Sequence, residues 1–336
     1  MPLYERGKIM AAITNSSVVL PVEYGREIIR GVVGRSKALE LGRRLPDMRG
    51  KTYKLNVLSH LPVAGWVSQQ ATPVGAPDEI KNKPISYLAF EGVDLVAEEI
   101  AVIVPVSINT LNDVEDFGIE LLPEISEQVV GAFQQVIDAT IFFGVNTPWA
   151  GFSGVVAGAT AAGATVTWDG QAGLSFYNAI NDAMEYVENS GYVPTAILGG
   201  PSLNSAFRST ITTLGVLAGD QGEIGALPRH IDLTGGFAQS TAFAIVGDFR
   251  YLVYSFREEM SMRVLYEATL KDPVTGSELY NLAQQDMIGL RFTMRLGAAL
   301  PNPVNRVSGV ASGNAIKRGA AAYPFAVITK AAVGSN

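Results

Sequence analysis

Cysteine is absent from this sequence, and histidine occurs only twice, as His60 and His230. The first absence excludes disulfides, thiolate zinc sites and a cysteine nucleophile, and two histidines are too few for a histidine-rich metal centre. Only carboxylate sites survive this cut, and no cofactor or metal is expected. Charge is scarce as well: Asp, Glu, Lys and Arg make up 17% of 336 residues, against about 25% in ordinary soluble domains. Apolar residues are 48%, so part of the exterior is expected to be covered by other copies of the chain. The formal net charge is -7, and lysine and arginine form no long run, which argues against affinity gained by neutralising phosphates.

Long hydrophobic runs are missing too. IMAAI follows Arg6 and Lys8, but Thr14, Asn15, Ser16 and Ser17 interrupt it too early for a secretory signal. GVVAGATAAGATVTW is built of small residues and is too short to span a bilayer. No membrane segment is expected, and the chain is read as intracellular; Asn15-Ser16-Ser17 matches a glycosylation sequon that carries no chemistry without secretion.

The length exceeds the roughly 250–300 residues at which a single core stops growing, so two packed regions are expected. PVEYGREIIRGVVG (21–34) reads as a short amphipathic helix, followed by a basic connector carrying Arg35, Lys37, Arg43, Arg44 and Arg49. Two strands, YKLNVL and ISYLAF, flank an excursion stiffened by Pro62, Pro73, Pro77 and Pro84. So long a loop is expected to leave its own core and be held by a partner. Its flanks bear Lys51, Lys54, Lys81 and Lys83, whereas the next stretch, EGVDLVAEEIAVIVPVS, carries Glu91, Asp94, Glu98 and Glu99 on a strand-like background.

A short helix is expected near Asp113, capped by Asn112. Pro123 then kinks it or opens the next, in which Leu121, Ile125, Val129, Phe133, Val136, Ile137 and Ile141 form one buried stripe ending at Gly144. A second domain begins after Gly144, with helices at LSFYNAINDAMEYVENSG and PSLNSAFRS and a strand at PTAILGG. FAIVGDF, YLVYSFR, SMRVLYEA and DMIGLRFTMRLGAAL read as further strands.

Candidate chemistry is thin. Ser153 in GFSGV lacks the second glycine of a nucleophile elbow and has no evident base, so it reads as a turn serine. GVVGRSK (31–37) has the wrong spacing for a phosphate loop. GDQGEIG (219–225) lacks alternating Asp and reads as a loop, and His230 as a hydrogen-bonded structural residue. No constellation supports an enzyme.

The order of segments says more. AGWVSQQATPVGAPDEIKNKPISYLAFEGVDLVAEEIAVIVPVSINTLND, the helix ending IDATIFFG, and later FAIVGDFRYLVYSFREEMSMRV and MIGLRFTMRLGAALPNPVNRV resemble the major capsid proteins of tailed bacteriophages with the HK97-type fold, over about residues 20–306. The resemblance implies an α+β fold with an N-terminal arm (1–47), an extended loop (48–90), a peripheral domain on a long spine helix (91–150 and 287–336) and an axial domain (151–286). It implies self-assembly, as hexamers and pentamers, into an icosahedral head shell that encloses double-stranded DNA without sequence-specific binding. It further implies a shell that is built in the host cytoplasm, ends in the virion, and meets a portal. Only about twenty residues precede the first helix, so any scaffold is expected to be a separate protein.

Trp66, Lys81 and Lys83 of the loop, laid over Glu98 and Glu99 in the acidic spine region of a neighbour, are the assembly-contact candidates, with Trp66 in its own subunit's core as the alternative. Some members join subunits by a Lys–Asn isopeptide bond. Lys81 or Lys83 with Asn302 or Asn305 are the residues available, against the plainer reading of solvated lysines and turn asparagines. Two other functions stay open: an encapsulin-like compartment enclosing enzyme cargo, and a soluble hydrolase using Ser153 or a carboxylate pair.

Overall fold

The computed structural model describes residues 36–67, 70, 81–109, 121–171, 174–209 and 227–331. The helix expected over 21–34, the one near Asp113 and the loop 219–225 lie outside these residues. In chain order come α1 (Lys37–Leu41), β1 (Arg43–Arg44), β2 (Thr52–Pro62), β3 (Ala89–Val96), β4 (Glu98–Ser107) and α2 (Leu121–Phe143). Next are α3 (Val155–Ala161), β5 (Thr165–Trp168), α4 (Leu174–Asn189), β6 (Ala196–Gly199), α5 (Ser202–Ser209), β7 (Arg229–Ile231) and β8 (Ala244–Gly247). The chain closes with β9 (Val253–Leu265), β10 (Thr269–Lys271), β11 (Glu278–Asn281), β12 (Met287–Ala299), β13 (Gly309–Ser312), β14 (Ala315–Arg318) and β15 (Phe325–Lys330).

The strands form a central sheet of order β1-β9-β12-β4, a hairpin sheet of order β13-β14-β2-β3, a five-stranded sheet of order β5-β15-β8-β6-β7, and the small β10-β11 pair. Strand β12 shows why the central sheet holds: Leu290, Phe292, Met294 and Leu296 are buried on one face, while Arg291, Thr293 and Arg295 alternate onto the other. The buried face joins α2, α3, α4 and the five-stranded sheet in one continuous apolar cluster.

Helix α2 buries Ile125, Val129, Phe133, Ile137 and Ile141 as expected from their spacing. Val136 is a correction, being 47% exposed, while Val130 and Phe142 are buried instead. Its C-terminus is fixed by aromatic and backbone contacts. Phe142 is fully buried, Phe143 meets Phe237 edge-on with centroids 5.0 Å apart, and Gly144 turns the chain at φ 67°. The Gly144 and Val145 amides donate back to Thr140 and Ala139, the pairing of a glycine helix stop. A Cβ at Gly144 would collide with the Ser153 carbonyl oxygen, so the turn into α3 admits no side chain there.

Other differences from the expected elements have physical reasons. YLVYSFR and SMRVLYEA are one strand of 13 residues, because its pairing with β12 slips register beside Glu258 instead of ending. Within ISYLAF the strand begins only at Ala89, and EGVDLVAEEIAVIVPVS is two strands meeting at Ala97, where the chain passes from the hairpin sheet to the central sheet. Strand pairing also groups segments differently from the expected boundaries. Strand β15, near the C-terminus, sits between β5 and β8, and β9 belongs with β12 and β4.

Candidate assembly surfaces

Strands β2 and β3 run antiparallel from Thr52↔Val96 to His60↔Ala89, and the chain between them carries a concentration of exposed apolar side chains. Trp66 is 78% exposed and Ile85 80%; Tyr87, Leu88 and Phe90 are exposed beside them. Trp66 is therefore not a core residue of its own subunit. Large apolar side chains left in solvent on one hairpin make this a candidate protein-binding surface.

The acidic stretch lies on strands and not on a spine helix, and the charges expected to act between subunits are partly used within the chain. Lys51 pairs with Glu98 at 3.2 Å and Lys54 with Asp94 at 3.6 Å, so Glu98 already holds a cation of its own subunit. Lys83 and Glu99 are exposed, and neither makes an ion pair with a described residue. Lys81 is half-buried. The structure does not bring Lys81 or Lys83 together with Glu98 or Glu99. Among the described residues, strands β3 and β4 are edge strands of their sheets.

A buried polar junction escaped the sequence reading. Asp138, on α2, is fully buried. It accepts from the Ser36 hydroxyl at 2.6 Å and from the amides of Ala38 and Lys37 at 3.0 and 3.2 Å, thereby holding the start of α1. Thr234 lies 3.5 Å from the same carboxylate and donates to Asp232 at 2.6 Å. Burial pushes the Asp138 carboxyl up to about 6, against the hydrogen bonds from Ser36 and Ala38 that lower it. Beside this junction His230 lies 3.6 Å from Glu40, and its burial lowers its pKa more than that carboxylate raises it. An acidic residue inside the buried stripe, next to Ile137, was the available signal.

Ser153 is exposed and bonds to neither histidine. His60 Nδ1 lies 2.9 Å from the Ser59 hydroxyl. The Asn302 amide donates to the Ala322 carbonyl at 2.7 Å, and the Asn305 amide to the Ser190 carbonyl at 2.6 Å, so both asparagines tie their segment to distant parts of the chain. Among the described residues no group of three or more His, Asp or Glu could hold a metal, and no helix is long and apolar enough to cross a membrane.

The described residues thus form an α+β subunit whose β2–β3 hairpin leaves large apolar side chains exposed. The model of the Phage capsid family matches residues 16–221. Among solved structures, a chain from Microbacterium phage Oxtober96 is 28% identical with TM-score 0.71, covering 96% of this chain and 97% of its own. One from Mycobacterium phage Adephagia is 26% identical with TM-score 0.72, covering 90% and 92%. The capsid of an empty GTA particle, 12% identical with TM-score 0.50 over 96% of each chain, shares the fold. No curated protein matches in sequence. The chain belongs to the phage capsid family, its fold is that of HK97-like shell proteins, and its function is that of a major capsid protein.

Proposed function

We propose that this protein builds a closed icosahedral shell of hexamers and pentamers around double-stranded DNA, in which each β2–β3 hairpin lies over the central sheet of an adjacent subunit. The observation that carries this reading is the exposed apolar set Trp66, Ile85, Tyr87, Leu88 and Phe90, which a lone subunit leaves in water. Covering these side chains stabilises by roughly 25 cal/mol per Å² of apolar surface. An extended loop over 48–90, a peripheral domain carrying α2 and the central sheet, and an axial domain carrying the five-stranded sheet with α3, α4 and α5 belong to the same proposal. Lys83 would meet Glu99 of the partner subunit, and Lys81 would lie beside them. The net charge of -7 suits a container that holds DNA without adhering to it. A separate scaffold, a portal and assembly in the host cytoplasm complete the proposal, and the role is structural, without catalysis.

Replacing Lys81 and Lys83 together by Glu tests the charge pairing. Assembly should be impaired at low salt and recover partly as salt screens the repulsion. Normal shells from that variant at low salt would remove the charge pairing from the account.

A further inference from the structure

The open face of β12 presents Arg291, Thr293 and Arg295, each half-buried. Arg295 stands directly opposite Glu99 on β4 and Glu258 on β9 and pairs with Glu258 at 3.3 Å. Arg291 has different neighbours: Ile103 on β4 and Arg263 on β9. Like charges placed directly opposite destabilise a ladder. Neither Arg291 nor Arg263 makes an ion pair or hydrogen bond with a described residue, and Arg291 Nε is buried without an acceptor. Glu99 and Glu258 are level with Arg295, roughly 13 Å along the strand from Arg291, too far to neutralise the pair.

We propose that Arg263 and Arg291 form a carboxylate-binding point for a second copy of this chain, filled by Glu91 of the partner subunit. The inference rests on the shell reading above and names a contact within it. Glu91 sits on the edge strand β3, is exposed, and makes no ion pair with a described residue. Glu91 shares its face of the hairpin with half-buried Val57, directly opposite it on β2, and Ile103 opposite Arg291 is 37% exposed, so each surface sets charge beside an apolar side chain. A DNA phosphate would meet Glu99 and Glu258 on the same face and would leave Ile103 in water, so protein is the better fit. The polarity agrees with Lys83 meeting Glu99, because the face carries acid at one end and the arginine pair at the other.

The test compares assembled fraction by sedimentation at about 50 mM salt, where surface charge is weakly screened. Arg291→Glu and Glu91→Arg should each lower it at least tenfold, and the two combined should restore it to within threefold of wild type. A single reversal that assembles as wild type overturns the proposal, as does a combined variant no better than either parent. Arg263→Gln guards against misfolding: losing the cross-strand repulsion should hold or raise the subunit's Tm while assembly falls at least threefold. A lower Tm with unchanged assembly would make the pair merely structural and overturn the proposal. Normal shells of Arg291→Glu that retain less DNA would assign the pair to the genome and overturn it too. Failure of the wild-type chain to form particles in parallel would instead sink the shell reading itself.

Discussion

Replacing Asp138 by asparagine gives the junction under α1 a measurable signature. The carboxyl is buried, takes three hydrogen bonds from residues 36–38, and still titrates near 6 against an ordinary 3.8. Desolvation therefore outweighs those bonds. A carboxyl whose folded pKa is raised binds its proton more tightly in the native state, so its contribution is fully present below about pH 4 and is lost as pH rises through about 6. The shift of roughly two units corresponds to about 3 kcal/mol, or about 5 °C of Tm for a protein of this size. An asparagine side chain cannot titrate, so the stability difference, wild type minus Asp138→Asn, should fall by about 3 kcal/mol between pH 4 and pH 7. Unfolding of the isolated subunit by denaturant at several pH values reads this difference directly. A difference that stays constant within about 0.5 kcal/mol over that range would show that Asp138 is not the buried acid described.

Gly144→Ala forces a Cβ into the Ser153 carbonyl at a positive φ; it should cost about 3 kcal/mol or more of subunit stability in denaturant unfolding. Phe142→Ala empties a fully buried site at the end of α2 and should cost about 3–5 kcal/mol in the same assay. Trp66→Ala removes a side chain that is 78% exposed, so unfolding of the subunit should change by less than about 0.5 kcal/mol while the yield of particles drops severalfold by sedimentation. Equal yields would detach Trp66 from assembly.

Local pattern carried most of the secondary structure. The α2 stripe, its glycine stop and the alternation of β12 were legible because burial follows the 3.6 and 2.0 periods. Val136 misled because its helical angle falls between those of Ile125 and Val129, both buried, while at its own turn it is left 47% exposed. The single strand β9 was not visible, since Glu258 and Glu259 break the alternation where a register slip absorbs them. The placing of β15 between β5 and β8 depends on partners 78 to 162 positions away, from Phe325↔Gly247 to Val327↔Thr165, which no local window sees. Long range also hid the junction at Asp138: Ser36 and Thr234 are 102 and 96 residues distant. The exposed hairpin was legible in outline, because prolines and alternating flanks announce a projecting loop. Its cis pairs Lys51–Glu98 and Lys54–Asp94 were not, because both strand-to-strand register and the crossing at Ala97 set them.

Negative-stain imaging of the purified full-length chain, with its sedimentation recorded on the same sample, tests most directly whether the subunit is completed by its siblings. Closed hollow particles of uniform diameter, many times the 35.7 kDa of one chain, are the predicted result. A single species at that mass in every buffer, with Trp66 and Phe90 still solvent-exposed, would contradict it.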